Sequence, residues 1–340
     1  MNISRQRKSN LVAFLFGVVL CFFGLLGAEI TTRLFWKEVF LTGITYEDNY
    51  TLTDAYGITK AQPGRRIRSI SKLNKTGTTI YDVVYSIDSY SRRMTPVSKP
   101  ELRDKYLLFF GCSYTYGEGV QDDQTIPARV AVRATEYRPY NYAFHGHSPA
   151  QMLAKMESKT LKNEVKEKEG ILIYIFIDDH VRRVIGSMRI ATDFGRKHPH
   201  YHLDARDQVV RKGNFMTGRP VLRRIYGLLA KSELMKFLKI DVPPVITNRH
   251  IHLTARLIEE SYRLYKEQFP GGDFYVVIYP GSRNGIQLAK ELDGSGIKIL
   301  DESKIFNPKE LPYILSIENT HPSALANNEL ANYLGRDLNF

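Results

Sequence analysis

Hydrophobic positions along the chain fall into three regimes. Residues 11–28 (LVAFLFGVVLCFFGLLGA) form an unbroken uncharged run. About 18 such residues is the lower working length for a membrane span. Residues 36–100 are rich in Thr, Tyr, Ser and Gly, with short alternating pieces such as 80–85 (IYDVVY). Alternation at period two predicts a small β-rich segment. From 101 onward, short apolar runs alternate with helical spacings. Candidate strands are 106–110 (YLLFF), 140–144, 171–177 (ILIYIFI), 274–279 (FYVVIY) and 297–300. Continuous apolar strands predict burial on both faces, as in a parallel sheet.

Helical patterns lie between those runs. Ile251, Ala255, Ile258, Tyr262, Tyr265 and Phe269 share one helix face, which ends before Gly271 and Gly272. Met152, Leu153 and Met156 mark another helix. Pro322 reads as the first-turn proline of a last one, with Ala324, Leu325, Asn328 and Ala331 at helical spacing. Strands alternating with helices predict a doubly wound, three-layer α/β sheet of about five parallel strands over 101–340. Residues 186–245 break the rhythm and read as an insertion over one end of the sheet. No fixed-period repeat occurs.

Charge refines the first regime. Arg5, Arg7 and Lys8 precede the apolar run with no acidic residue among them. Cleavage after Ala28 would put Leu26 where a small residue is wanted, so an uncleaved anchor is expected over 1–35 rather than a removed signal. The cationic flank predicts that Glu29 onward lies outside the cytoplasm, as in a single-pass inner-membrane protein with a periplasmic domain. The whole chain carries a net charge of +12 over 340 residues. Ten basic and three acidic residues between Arg196 and Lys236 supply much of it. That excess suits an anionic glycan or lipid surface. A nucleic-acid partner is not expected of an outward-facing domain, and the oligomeric state is unreadable. Two cysteines exclude a disulfide framework and a cysteine zinc site. His198, His200 and His202 at alternating spacing are a weak metal signal and read as a surface run. No metal or cofactor is expected.

In open α/β sheets ligands bind beyond the carboxyl ends of the strands, so the residues following each run matter most. After the first comes Gly-Cys-Ser-Tyr-Thr-Tyr-Gly (111–117), after the second His145-Gly146-His147-Ser148, and after the third Asp178-Asp179-His180. Glu318-Asn319-Thr320-His321 precedes the last helix. A serine needs a base, and the base needs an orienting partner. Ser113 would sit on a tight turn where its own N–H faces a developing oxyanion. Gly146 offers a second N–H. Glu318 and His321, three residues apart, have the spacing of an orienter and a base. His145 and His147 read as loop residues. Adjacent Asp178, Asp179 and His180 point in alternate directions, which argues against a metal cluster.

These blocks resemble the SGNH (GDSL-like) hydrolase family. Residues 111–117 are similar to its G-D-S-x-T-x-G block, 141–146 (NYAFHG) to its glycine block, and 318–321 to its D-x-x-H block. The leading anchor also resembles membrane-anchored bacterial members. The resemblance implies that Ser113 is nucleophile and oxyanion donor, His321 general base, Glu318 its orienter and Gly146 an oxyanion donor. The chain departs from the family at three positions. Cys112 and Glu318 stand where aspartate is usual, and Asp178 replaces the asparagine of the G-x-N-D block. An ionised carboxylate cannot donate. Either His180 or Arg183 donates instead, or the hole has two donors. The expected function is ester chemistry on acyl groups, with O-acetyl groups of an envelope glycan as substrate. Transfer to a sugar hydroxyl, or glycan binding without catalysis on a degenerate scaffold, are the alternatives.

Overall fold

The structure is a computed structural model that describes residues 3–37, 42–47 and 49–340. Side chains of 3–9, including the three cations before the apolar run, lie outside the described residues. Helix α1 (Ile3–Phe35) contains the apolar run. Its stretch Asn10–Phe35 is the one helix among the described residues long and apolar enough to cross a membrane, and it is unburied.

Strands β1 (Thr42–Tyr46), β2 (Thr51–Thr53), β3 (Thr59–Ala61), β4 (Arg66–Leu73) and β5 (Thr79–Ser86) follow. They form an antiparallel sheet β1-β4-β5 and a β2-β3 ribbon. Alternating Ile67, Tyr81, Val83 and Tyr85 point inward, which accounts for the period-two pattern. They pack on Tyr116, Ala143 and Phe144 of the α/β domain. The small sheet therefore stands over the loops that follow two strands of the larger sheet.

The α/β part runs β6 (Lys105–Phe110), α2 (Ser113–Tyr116), α3 (Ile126–Arg133), β7 (Tyr137–Asn141), α4 (Pro149–Glu157), β8 (Glu169–Phe176) and α5 (Asp179–Ile185). It continues through β9 (Pro199–Leu203), β10 (Val209–Asn214), α6 (Pro220–Leu229) and α7 (Glu233–Phe237). It closes with α8 (Asn248–Gln268), β11 (Asp273–Ile278), β12 (Lys298–Asp301) and α9 (Ala324–Asp337). Five strands in the order β7-β6-β8-β11-β12 make one wholly parallel sheet. This is the doubly wound sheet that the apolar runs predict.

Its strands read as continuous runs because both faces are covered. Leu108, Phe110, Leu172, Tyr174 and Phe176 face α4 and α8 through Met152, Met156, Ile251, Ala255 and Ile258. Leu107, Phe109, Ile173 and Ile175 face α3 and α9 through Ile126, Val130, Leu330 and Leu334. Burying a large aliphatic or aromatic side chain contributes about 1.5–3 kcal/mol, so these two layers dominate the fold's stability.

Three expectations need correction. The second strand lies at Tyr137–Asn141, so Phe144 belongs to the following loop. The last helix starts at Ala324, with Ser323 accepting from the Ala326 N–H, and Pro322 instead bridges to Ile314. Its buried face is Ala326, Asn327, Leu330, Ala331 and Leu334, while Leu325 is exposed. Third, the histidine run is not on the surface. His198 and His200 are buried, and His200 packs on Phe215.

Candidate active site

From β6 the chain adds β7 on one side of the sheet and then returns to add β8 on the other, which makes the carboxyl end of β6 a topological switch point. Ser113 begins α2 there and is buried. Gly111 must be glycine for this turn: its φ is +155°, and an added Cβ would lie 2.1 Å from Thr115 Oγ1. No described protein group accepts the Ser113 N–H or the Gly146 N–H. Gly146 has φ +72°, and a Cβ there would lie 2.6 Å from the Phe194 ring.

The geometry brings Ser113 and His321 together. His321 Nε2 lies 2.9 Å from Ser113 Oγ. On the other side of the ring, His321 Nδ1 donates to Asn319 Oδ1 at 2.8 Å. The His321 backbone N–H donates to the same Asn319 atom at 3.3 Å. An atom that takes a peptide N–H must be the amide oxygen, so Nδ1 carries the ring proton. Nε2 is then left as the acceptor for the serine hydroxyl.

Glu318 does not take the orienting place. It is exposed, while Asn319 is buried beneath the imidazole. The tight loop brings the residue two positions before His321 under the ring, and the expected spacing of three points outward. Asp178 is also displaced from its expected role. Its carboxylate accepts the N–H groups of Arg283 and Asn284 at 2.8 and 2.9 Å, capping the turn before helix Gly285–Glu291. His180 points into the core, where its Nδ1 accepts from Tyr174 Oη. Neither lines the cleft.

Arg183 does line it, with Ser113, Gly146 and His321. Its guanidinium donates to the His147 carbonyl at 2.9 Å and is nearly buried.

A carboxylate that the motif reading missed completes the site. Glu118 is buried, with Oε2 2.6 Å from His145 Nδ1 and 3.4 Å from His321 Nε2. Burial would raise its pKa, but the histidines His321 and His145, and Arg183, together hold it at about 2. His145 is thus not a bystander of the loop: its other nitrogen lies 2.7 Å from Tyr50 Oη. His147 is a structural residue. It donates from Nε2 to the Thr59 carbonyl, and burial pulls its pKa to about 3, so it stays neutral. Burial also lowers the His321 pKa, with Glu118 opposing and His145 and Arg183 assisting that shift. Only Gly117-Glu118-Gly119 in the sequence hinted at Glu118, and an acidic residue between glycines is no signal by itself.

The cleft has a volume of about 900 Å³. Its far wall comes from the β-rich segment, through Ile44 and Tyr46 of β1 and Tyr50 just before β2. Phe194, Arg196, Lys197 and His198 close the other side. The stretch that reads as an insertion therefore does cover the carboxyl edge. Arg223 and Arg224, in its second half, line a separate groove instead. Among the described residues no three His, Cys, Asp or Glu side chains are placed to share a metal ion.

No family model and no curated protein matches the chain. Among solved structures the chain is similar to a catalytic mutant of Axe2, an acetylxylan esterase from Geobacillus stearothermophilus. That match has 13% identity, covers 73% of this chain and 97% of the other, and has a TM-score of 0.39. The acetyl xylan esterase Est2A from the rumen bacterium Butyrivibrio proteoclasticus matches at 11% identity over 80% of this chain and 69% of its own, TM-score 0.40. A protein described as a lipolytic member of the G-D-S-L family, from Desulfitobacterium hafniense DCB-2, matches at 10% identity over 68% and 98%, TM-score 0.36. The sequence blocks resemble the same family.

Proposed function

We propose that this protein is a serine esterase that removes acyl groups, O-acetyl in particular, from a glycan outside the cytoplasm. The observation that carries this reading is the 2.9 Å contact between His321 Nε2 and Ser113 Oγ, with Nδ1 held by Asn319. His321 takes the hydroxyl proton as Ser113 Oγ attacks the ester carbonyl. The oxyanion collects in front of the free N–H groups of Ser113 and Gly146, with Arg183 supplying positive charge. His321 then returns the proton to the leaving sugar oxygen, and an acyl-serine remains. Water, activated by the same imidazole, releases the acid.

Asn319 fixes the tautomer but carries no charge to stabilise the imidazolium that forms. Glu118 provides that charge from the Nε2 side. The aromatic wall of Tyr46, Tyr50 and Phe194 suits sugar faces, and Arg196 and Lys197 suit an anionic polymer. A cleft of about 900 Å³ also has room for a sugar acceptor beside the acyl group, which favours transfer as the second reading.

The test is hydrolysis of p-nitrophenyl acetate by the full chain, with and without a bare polysaccharide. Ser113→Ala and His321→Ala should each lower kcat by at least about three orders of magnitude. Acetylated polysaccharide among the products would assign transfer. Full turnover by Ser113→Ala would refute the reading.

A further inference from the structure

Helix α6 has two apolar faces. Leu222, Tyr226 and Leu229 pack inward on Met188, Ala191 and Phe215. Val221, Ile225 and Leu228 form a second stripe at spacings of four and three, and point outward at 70, 47 and 71% exposure. A solvated helix has no use for that second stripe. The same segment continues with Phe237, Leu238 and Ile240, also exposed. Cations are interleaved with them. Arg223, Arg224 and Lys231 surround a groove of about 570 Å³ that also includes Pro220, Gly227 and Leu228.

This surface adjoins the end of the apolar helix. Glu29 of α1 accepts the Ser232 hydroxyl at 2.7 Å and the N–H groups of Glu233 and Leu234 at 3.0 and 3.1 Å, and so caps α7. Arg33 donates to the Lys231 carbonyl at 3.3 Å, and Trp36 meets Phe237 edge to face. The outward stripe and its cations therefore begin where α1 would leave a bilayer.

We propose that residues 220–240 form an interfacial element that lies on the membrane, with Val221, Ile225 and Leu228 among the acyl chains and the Arg223–Arg224–Lys231 groove holding an anionic phospholipid headgroup. The proposal rests on the anchor reading of α1. A basic amphipathic helix beside a membrane exit binds by buried apolar area and by attraction to anionic lipid together. Asp193, Phe194 and 196–198, earlier in the same insertion, line the cleft, so this docking sets where the cleft sits relative to the bilayer.

The test uses the full chain in lipid nanodiscs of phosphatidylcholine, with or without phosphatidylglycerol. An environment-sensitive dye is placed on native Cys21, or on Leu228→Cys or Leu102→Cys in a Cys21→Ser background. Leu102 is 68% exposed and precedes β6, and Cys112 is buried. The Cys21 dye should be quenched by nitroxide-bearing lipid in both discs. The Leu228 dye should be quenched more strongly with phosphatidylglycerol present, and the Leu102 dye in neither. Replacing Arg223, Arg224 and Lys231 with Gln should weaken the phosphatidylglycerol-dependent part roughly fivefold for each cation removed. A quenched Cys21 dye with an unquenched Leu228 dye overturns the proposal and leaves the anchor standing. Two unquenched dyes overturn both. Equal quenching at Leu228 in the two lipids overturns the headgroup assignment. Crosslinking between two Leu228→Cys chains in place of quenching assigns the stripe to a second copy.

Discussion

Around His321 the neutral amide and the carboxylate have exchanged their usual sides. Asn319 holds Nδ1, and Glu118 stands 3.4 Å from Nε2. The pH dependence follows from that arrangement. His321 must be neutral to accept the serine proton, and burial sets its pKa below the ordinary 6.5. Activity should therefore persist below pH 6.5 and fall only as His321 protonates. Glu118 pulls the pKa of His321 upward, so Glu118→Gln should move the acid limb of kcat/KM to still lower pH while lowering kcat. An unmoved acid limb would remove Glu118 from the electrostatics of the base. Ser113, Gly146 and His321 were legible in the sequence because short blocks carry them. Asn319 was hidden by Glu318, which fits the family's spacing better than the loop's actual path. Glu118, His145 and Tyr50 were illegible because their partners lie 27 and 95 residues apart along the chain.

At the scale of elements, the turn that bears Glu118 depends on one cation from outside the sheet. Arg93 is fully buried and pairs with Asp122 at 2.9 Å. It also donates to the carbonyls of Tyr116, Gly117 and Val120, on either side of Glu118. Removing it takes the guanidinium away from all four acceptors and leaves Asp122 with the Ser86 N–H as its partner in place of a charge. Arg93→Ala should cost about 3 kcal/mol or more of stability, read from urea unfolding. Lysine presents a single point of charge in place of a planar fork, so Arg93→Lys should recover little of it. A full-length variant as stable as the parent would show that the turn holds itself. The central strands were legible because both faces are buried, which gives unbroken apolar runs. The exception is β7, an edge strand, where Tyr137, Arg138 and Pro139 break the run and the apolar residues continue into the loop. The phase of α9 was also misread, since a proline near a helix start does not always occupy its first turn.

For the whole molecule, the central question is on which side of a membrane the cleft opens. Helix α1 leads into the small sheet, and that sheet supplies one wall of the cleft. The cations before the apolar run predict that everything after it faces outward. Alkaline phosphatase fused after Phe340 should be active in a bacterial host, while a reporter that works only in the cytoplasm should stay silent. The reverse pattern would place the cleft inside. The apolar helix was legible from one uncharged run. The role of the small sheet was not, because a β-rich composition says nothing about what the sheet will cover.

The most direct measurement is covalent. The full chain is treated with a serine-directed fluorophosphonate, and the modified residue is located by peptide mass spectrometry. Ser113 should carry the label, His321→Ala should label far more slowly, and Ser113→Ala not at all. A label on another serine, or labelling that persists undiminished in Ser113→Ala, would contradict the account.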